Sequence, residues 1–312
     1  MSVNKKYKCR LCKECNGKAC IGELPGMGGV FESSNFILNC AEWKNYYTSD
    51  SYPLPRLRLA PMTGAVENVG YEDERQFYFD LIRASVKAGL ALSIGDGYPD
   101  LKLFSGIEAL KDVKKKGAVF LKPYPQMKLF ERIEASLEAA EIIGVDTDAY
   151  NIVTMRNLVH LEKKTAKDLA ALKKYAKIPF AVKGIFTSYD IEVVKELKPD
   201  IAIISNHGGR IETDRGSVAS FVHSHLKEIK KYSGEVWTDG GLRKREDFIA
   251  ASSLGVEEVL IGRPCITALL RDKENGIKNF IDSILGKDLN KEACGSLGSS
   301  PLSSPLRSFE KP

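Results

Sequence analysis

A chain of 312 residues, 43% hydrophobic and 28% charged, has ordinary globular composition and enough length to bury one large core. Its 46 basic and 41 acidic residues leave a net charge of only +5, with lysines dispersed over helix-like faces, which argues against a nucleic-acid partner. No run of about 18 apolar residues occurs, and Met1-Ser2-Val3-Asn4-Lys5-Lys6 leads into cysteines without an apolar signal core. The expectation is a cytoplasmic protein with no membrane segment.

Four of the seven cysteines crowd near the start, a usage that fits a reducing compartment better than a disulfide framework. Cys9, Cys12, Cys15 and Cys20 stand at C-x2-C-x2-C-x4-C among Gly17, Gly22, Pro25 and Gly26, where the backbone can curl around a ligand. Three thiols at a pitch of three resemble a ferredoxin-type iron–sulfur loop more than paired zinc knuckles. The last gap is one residue too long, and no proline follows Cys20. A bound iron–sulfur cluster or zinc is the expectation, with four reduced thiols in a flexible lead as the alternative.

From Phe31 to Tyr47 the run Phe36-Ile37-Leu38 with Trp43, Tyr46 and Tyr47 reads as a packing helix, ended by Ser51-Tyr52-Pro53-Leu54-Pro55. Short apolar runs then alternate with helical stretches. The runs are Leu57 to Pro61, Leu90 to Ile94, Ala118 to Lys122, Ile142 to Asp146, Pro179 to Lys183, Ile201 to Ser205, Glu235 to Thr238 and Glu258 to Ile261. Between them, Glu74 to Ala88, Lys128 to Glu141, Ala166 to Ala176, Asp190 to Leu197, Ser217 to Tyr232 and Arg245 to Leu254 read as helices. Eight strands alternating with helices predict an α/β fold, the (β/α)8 TIM barrel, behind an N-terminal cysteine-rich extension. The predicted domains are an extension and packing helix at 1–50, a barrel at 51–294 and a disordered Ser/Pro-rich tail at 295–312.

In such a barrel the active site lies at the C-terminal strand ends, and the chemically capable residues fall there. Lys122 and Tyr124 follow strand three, Asp146 closes strand four, and Lys183 closes strand five. Ser205, His207 and Arg210 follow strand six, where His207, one of four histidines, stands beside Gly208 and Gly209. Asp239, Gly240, Gly241 and Arg243 follow strand seven, and Gly262 with Arg263 follow strand eight. Glycine amides and two guanidiniums in the last two loops suit a phosphate, of a cofactor or of a phosphosugar.

The cluster Ser205-Asn206-His207-Gly208-Gly209-Arg210 resembles the signature of the FMN-dependent 2-hydroxy acid oxidases and dehydrogenases, the family of glycolate and lactate oxidases. Three further segments resemble that family in order: Ile178 to Gly184, Asp239-Gly240-Gly241-Leu242-Arg243, and Leu260-Ile261-Gly262-Arg263-Pro264. The likeness is best from about residue 140 to 270. It implies FMN as cofactor, His207 as base, Arg210 as carboxylate clamp, Asp146 as the carboxylate that orients the histidine and raises its pKa, and Lys183 at the flavin N1–C2 edge. It further implies that Tyr124 meets the substrate, that Lys122 and Ser93 lie by the flavin, and that Pro61, Met62 and Thr63 run along the ring.

Two departures affect the substrate pocket. After Asp146 the family carries a proline and then a second arginine clamp, whereas this chain reads Thr147-Asp148-Ala149-Tyr150, with Arg156 the nearest arginine. The aromatic residue expected after strand two is replaced by Gly95-Asp96-Gly97-Tyr98. The implied function is oxidation of a 2-hydroxy acid, or a similar carboxylated alcohol, to the 2-oxo acid. The alternatives are a non-redox isomerase or lyase built on a Schiff base at Lys183, and a flavin or iron–sulfur module for electron transfer or redox sensing. The sequence leaves open the acid, the electron acceptor and whether the chain forms a homo-oligomer.

Overall fold

The computed structural model describes residues 33–152, 155, 158–211 and 214–287. Cys9, Cys12, Cys15, Cys20, Arg156 and the expected tail lie outside the described residues. The strands are β1 (Arg56–Leu59), β2 (Ser93–Gly95), β3 (Gly117–Leu121), β4 (Ala140–Asp146), β5 (Phe180–Ile185), β6 (Ile201–Ile204), β7 (Glu235–Thr238) and β8 (Glu258–Ile261). They form one eight-stranded parallel sheet in the order β1-β8-β7-β6-β5-β4-β3-β2. A parallel bridge from Arg58 to Ala91, with Leu59 N donating to Ala91 O at 2.8 Å, joins the two ends. This is the expected (β/α)8 barrel.

The helices are α1 (Ser34–Glu42), α2 (Ala65–Val69), α3 (Glu74–Lys87), α4 (Leu101–Asp112), α5 (Gln126–Ser136), α6 (Ala166–Ala176), α7 (Ser188–Leu197), α8 (Val218–Ile229), α9 (Arg245–Ser253) and α10 (Arg263–Leu285). Local chemistry sets their starts: Thr165 and Thr187 cap α6 and α7 in reciprocal boxes with Asp168 and Asp190, and Ser217 caps α8. The helix expected over Lys128 to Glu141 ends at Ser136, because the chain turns through Leu137 to Ala139 and pairs from Ala140 in β4.

Alternation along each strand sorts side chains into two cores. Ala118, Phe120, Ile142, Ala181, Ile201, Ile203, Trp237 and Leu260 fill the barrel interior, and a larger cluster packs strands against helices. Gly144 belongs to the interior set, and a Cβ there would stand 2.4 Å from the Phe120 ring, so its bareness makes room for the largest ring of β3. The same parity carries Lys122, Asp146 and Lys183 upward into the C-terminal mouth. At the opposite end, Arg58 pairs with Glu258 and Glu141 and lies 5.0 Å over Trp237, which closes the floor.

Helix α1 crosses the mouth beside the last loops. Asn39 and Asn206 exchange amide hydrogen bonds at 2.8 and 3.2 Å, and Trp43 Nε1 donates to Gly240 O at 2.8 Å. Phe36 and Trp43 are fully buried. The expected packing helix therefore backs both the histidine loop and the β7 loop.

Candidate active site

The strand ends surround a cavity of about 380 Å3, within the size range of cofactor and ligand pockets. One wall is Pro61-Met62-Thr63 after β1. Its floor presents Lys122, Asp146, Lys183 and Asp239, and its rim presents Gly240, Gly241, Arg243, Gly262 and Arg263. His207 and Arg210 complete the lining on the β6 side.

Three expected site residues stand behind the lining. Ser93 is buried inside the barrel, one layer below Gly95, and its hydroxyl has no hydrogen-bond partner among the described residues. Tyr124 is buried, its hydroxyl donates to Gly97 O at 3.3 Å, and its ring is covered by Lys128 at 4.2 Å and Arg132 at 4.6 Å. It does not line the cavity, contrary to the implied substrate contact. Ser205 also lies beneath, accepting from Lys183 Nζ at 3.2 Å and from His207 N at 3.1 Å.

The charged floor is a network. Asp146 accepts from Lys122 Nζ at 2.5 Å and from Lys183 Nζ at 3.2 Å, and Lys183 also pairs with Asp239 at 3.4 Å. Burial opposes ionisation of Asp146, but the positive groups around it, His207 when protonated, Lys122 and Lys183, hold its pKa well below the usual carboxylate range. Burial likewise opposes the charge of Lys183, and the carboxylates of Asp146, Asp239 and Asp148 overcome it and raise the lysine's pKa. An ammonium engaged by Asp146 and Asp239 is a poor nucleophile, which disfavours the Schiff-base alternative.

His207 sits at φ +57° on the Asn206-to-Gly209 turn, a left-handed conformation stabilised there by the Asn206 side chain accepting from Gly209 N at 3.0 Å. Its Nδ1 lies 2.9 Å from Asp148 Oδ1 and 3.5 Å from Asp146 Oδ1, and its Nε2 lies 3.5 Å from Lys122 Nζ. The nearer carboxyl is thus Asp148, not the expected Asp146. The expected rise in the histidine's pKa is also reversed. Burial lowers it well below its ordinary value, and Lys122, Lys183 and Arg210 add to that against Asp146. Burial and the neighbouring Asp146 charge push Asp148 well above the carboxylate range.

Asp146, Asp148 and His207 bring ligand atoms within 4.8 Å of one another. The two lysine ammoniums already take both oxygens of Asp146, so the negative charge there is balanced without a metal ion.

At the rim, Arg263 donates to Gly208 O at 2.7 Å and stacks 4.3 Å over the Phe36 ring, and the Arg243 guanidinium lies 6.0 Å from the same ring. Gly240 and Gly241 have φ of +89° and +87°, and a Cβ on Gly241 would meet Asn39 O at 1.9 Å. Only glycine lets α1 approach this closely while the loop turns.

A family model described as FMN-dependent dehydrogenase matches residues 111–301, more than half of the sequence. The chain belongs to the FMN-dependent dehydrogenase family. A peroxisomal (S)-2-hydroxyacid oxidase of Arabidopsis thaliana is 36% identical over 118 residues, 38% of this chain and 32% of that protein. An L-lactate oxidase of Nostoc is 36% identical over 129 residues, 40% of this chain and 34% of the relative. 2-Hydroxyacid oxidase 2 of Rattus norvegicus is 32% identical over 124 residues, 40% and 35% of the two chains. The matched segment thus spans about a third of each relative's length. Mandelate oxidase with benzoyl-formic acid shares the fold at a TM-score of 0.67 and 18% identity, over 84% of this chain and 85% of that one. A mandelate oxidase variant with a C4a-OH-FMN adduct superposes at 0.67 and 17% identity, over 86% and 90%.

The cavity's donor chemistry fits the family's cofactor. Two guanidiniums, the Gly240–Gly241 turn and the start of α10 at Arg263 suit a phosphate dianion. Lys183 on the floor and the Pro61-to-Thr63 backbone suit the edge and face of a flavin ring. Sequence reasoning missed further lining residues, among them Asn68, Tyr98, Lys102, Ile152, Met155 and Leu158.

Proposed function

We propose that the chain is an FMN-dependent oxidoreductase that converts a 2-hydroxy acid, or a similar carboxylated alcohol, to the 2-oxo acid. The observation that carries this reading is that His207 and Arg210 line the same cavity as Arg243, Arg263 and the Gly240–Gly241 turn. The first pair suits a small hydroxy carboxylate, and the guanidiniums over the glycine turn suit a cofactor phosphate.

FMN, when bound, supplies the two-electron acceptor. Arg210 binds the substrate carboxylate and so fixes Cα. Nε2 of His207 takes the hydroxyl proton as Cα is oxidised, a task that needs the unprotonated imidazole which burial and the surrounding cations favour. Lys183, held charged by Asp146 and Asp239, places a fixed positive charge on the cavity floor, which would stabilise the negative charge of a reduced flavin bound there. Lys122 and Asp146 hold the floor in register, and Ser205 supports Lys183 and the histidine loop from below. The apolar side chains of Ile152, Met155 and Leu158, where the family's second arginine is expected, favour a substrate with a hydrophobic substituent on Cα.

Residues 51–294 are assigned to the FMN-binding unit. No helix among the described residues is long and apolar enough to cross a membrane, and the cysteine usage favours a reducing compartment such as the cytoplasm. The metal expected at Cys9 to Cys20 lies outside the described residues and stays part of this proposal, with the electron acceptor and oligomeric state open to experiment. The test is a panel of 2-hydroxy acids scored by anaerobic bleaching of the purified flavoprotein. Rapid bleaching by at least one acid is expected; a flavin that none of them reduces would remove the assigned substrate class.

A further inference from the structure

The carboxyl group nearest the histidine is one that sequence reasoning gave no role. Asp148 lies on the 3-10 turn Thr147–Asn151 that follows β4, and the turn is tied down by Thr147 Oγ1 donating to Lys183 O at 2.9 Å. Strand β5 is shaped to receive it. The β5–β6 register shifts between Lys183 and Ile185, and Gly184 between them has φ +103°. A Cβ on Gly184 would stand 2.6 Å from Asp148 Cγ. Gly184 therefore forms the notch into which the Asp148 side chain fits, and that side chain is almost fully buried beside the imidazole.

The donors around the ring fix which nitrogen carries the proton. A lysine ammonium has donors and no acceptor, and Nε2 faces Lys122 Nζ at 3.5 Å, so a lone pair at Nε2 avoids setting two donors against each other. The single proton of the neutral imidazole then belongs to Nδ1. Of the two carboxyl oxygens near Nδ1, Asp148 Oδ1 at 2.9 Å is within hydrogen-bond distance, and Asp146 Oδ1 at 3.5 Å is not comfortably so. Asp146 is also engaged on both oxygens, by Lys122 and Lys183.

We propose that Asp148 is the positioning carboxyl group of His207 in this chain: it accepts the Nδ1–H, and so keeps the Nε2 lone pair facing the cavity, while Asp146 serves the two lysines. The proposal deepens the functional reading above, since an unprotonated Nε2 is what the base must offer. Lys122, Lys183, Arg210 and Asp146 are the charged groups facing the ring, and Asp148, whose carboxyl its surroundings keep towards the neutral form, has the oxygen placed to accept the Nδ1–H.

The experiment is nitrogen NMR of the FMN-loaded protein labelled in its four histidines, with His207→Gln assigning the His207 signals. Wild type should show a protonated Nδ1 and an unprotonated Nε2. Asp148→Ala should lose that single tautomer and show a mixture or the Nε2–H form, whereas Asp146→Asn should retain it. Asp148→Asn, nearly the same in shape, serves if the alanine variant does not fold, and is expected to mix the tautomers because its amide can donate as well as accept. In the kinetic arm, flavin reduction at saturating hydroxy acid should fall on the order of 10²-fold in Asp148→Asn with KM little changed, and reduction by dithionite should be unaffected. An Nε2–H wild type, or a tautomer that changes in Asp146→Asn and stays in both Asp148 variants, overturns the proposal. If no hydroxy acid reduces even the wild-type flavin, the functional reading fails, and the tautomer result still decides the role of Asp148.

Discussion

Replacing Gly241 with alanine tests how closely the rim of the cavity depends on α1. Gly241 has φ +87°, and its added Cβ would lie 1.9 Å from Asn39 O and 2.2 Å from Asn39 C, where real Cβ contacts stay above 3.0 Å. The left-handed conformation costs an alanine about 1–2 kcal/mol. In addition, the loop or the helix must move by about 1 Å, a displacement that can cost on the order of 10²-fold where positioning matters. Gly89→Ala isolates the strain, because that glycine has φ +75° and nothing within 4 Å of its added Cβ. FMN affinity measured by titrating the apoprotein, with flavin fluorescence as the signal, should weaken on the order of 10²-fold in Gly241→Ala and stay at the wild-type value in Gly89→Ala. Both variants should melt lower, Gly89→Ala by a few degrees, at roughly 2–4 °C per kcal/mol for a chain of this class. If Gly241→Ala binds FMN as tightly as Gly89→Ala, the β7 loop does not hold the phosphate.

Arg263→Ala should lose FMN on desalting, and the exposed Lys115→Ala should not, as read from flavin absorbance per protein; equal retention would displace the phosphate from this rim. The pH dependence of flavin reduction by free enzyme and hydroxy acid should stay flat through pH 6.5, the ordinary histidine value, and fall only well below it, because burial and the surrounding cations lower the pKa of His207. A decline centred at or above that value would show an imidazole that the network does not depress. Asp96, buried against Arg132, has its carboxyl pushed up by burial from 3.8 to about 6. The folded state therefore favours the protonated form: its contribution is greatest below pH 3.8 and declines by about 3 kcal/mol as the pH rises to about 6. Denaturant titrations should show that slope in wild type and a flatter curve in Asp96→Asn. Cys12→Ser should lose any iron or zinc found by elemental analysis of anaerobic wild type; a metal-free wild type returns the four cysteines to ordinary thiols.

The barrel was legible because its strands are short apolar runs between turn residues. β7 and β8 coincide with the expected runs to the residue, and α6 does so as well because Thr165 caps one end and Lys177, at φ +56°, ends the other. Helix α4 was missed: it carries Gly106, which reads as a breaker but packs against Ile94 with only 3.0 Å left for a Cβ. Helix α10 was missed because Pro264 opens it and a kink at Asp272–Lys273 interrupts its period. In the site, period-two alternation carried Lys122, Asp146 and Lys183 to the mouth as expected. The same rule does not tell lining from support, so Ser93, Tyr124 and Ser205 were placed a layer too high. Asp148 lies on a turn outside the strand pattern, and its only sequence signal is an acidic residue where the family has proline. The Asn39–Asn206 amide pair spans 167 residues, and a lone asparagine in a helix carries no signal for such a distant partner.

The claim that His207 is the base is tested most directly by anaerobic stopped-flow reduction of the FMN-loaded His207→Gln variant by the best acid of the panel. The residues proposed to hold the phosphate and the ring lie at other strand ends, so the variant should keep its flavin and still be reduced by dithionite. Its reduction by the acid should be slower by on the order of 10²-fold or more. Near-normal bleaching in this variant would contradict the account, because the proton would then leave the substrate without the histidine.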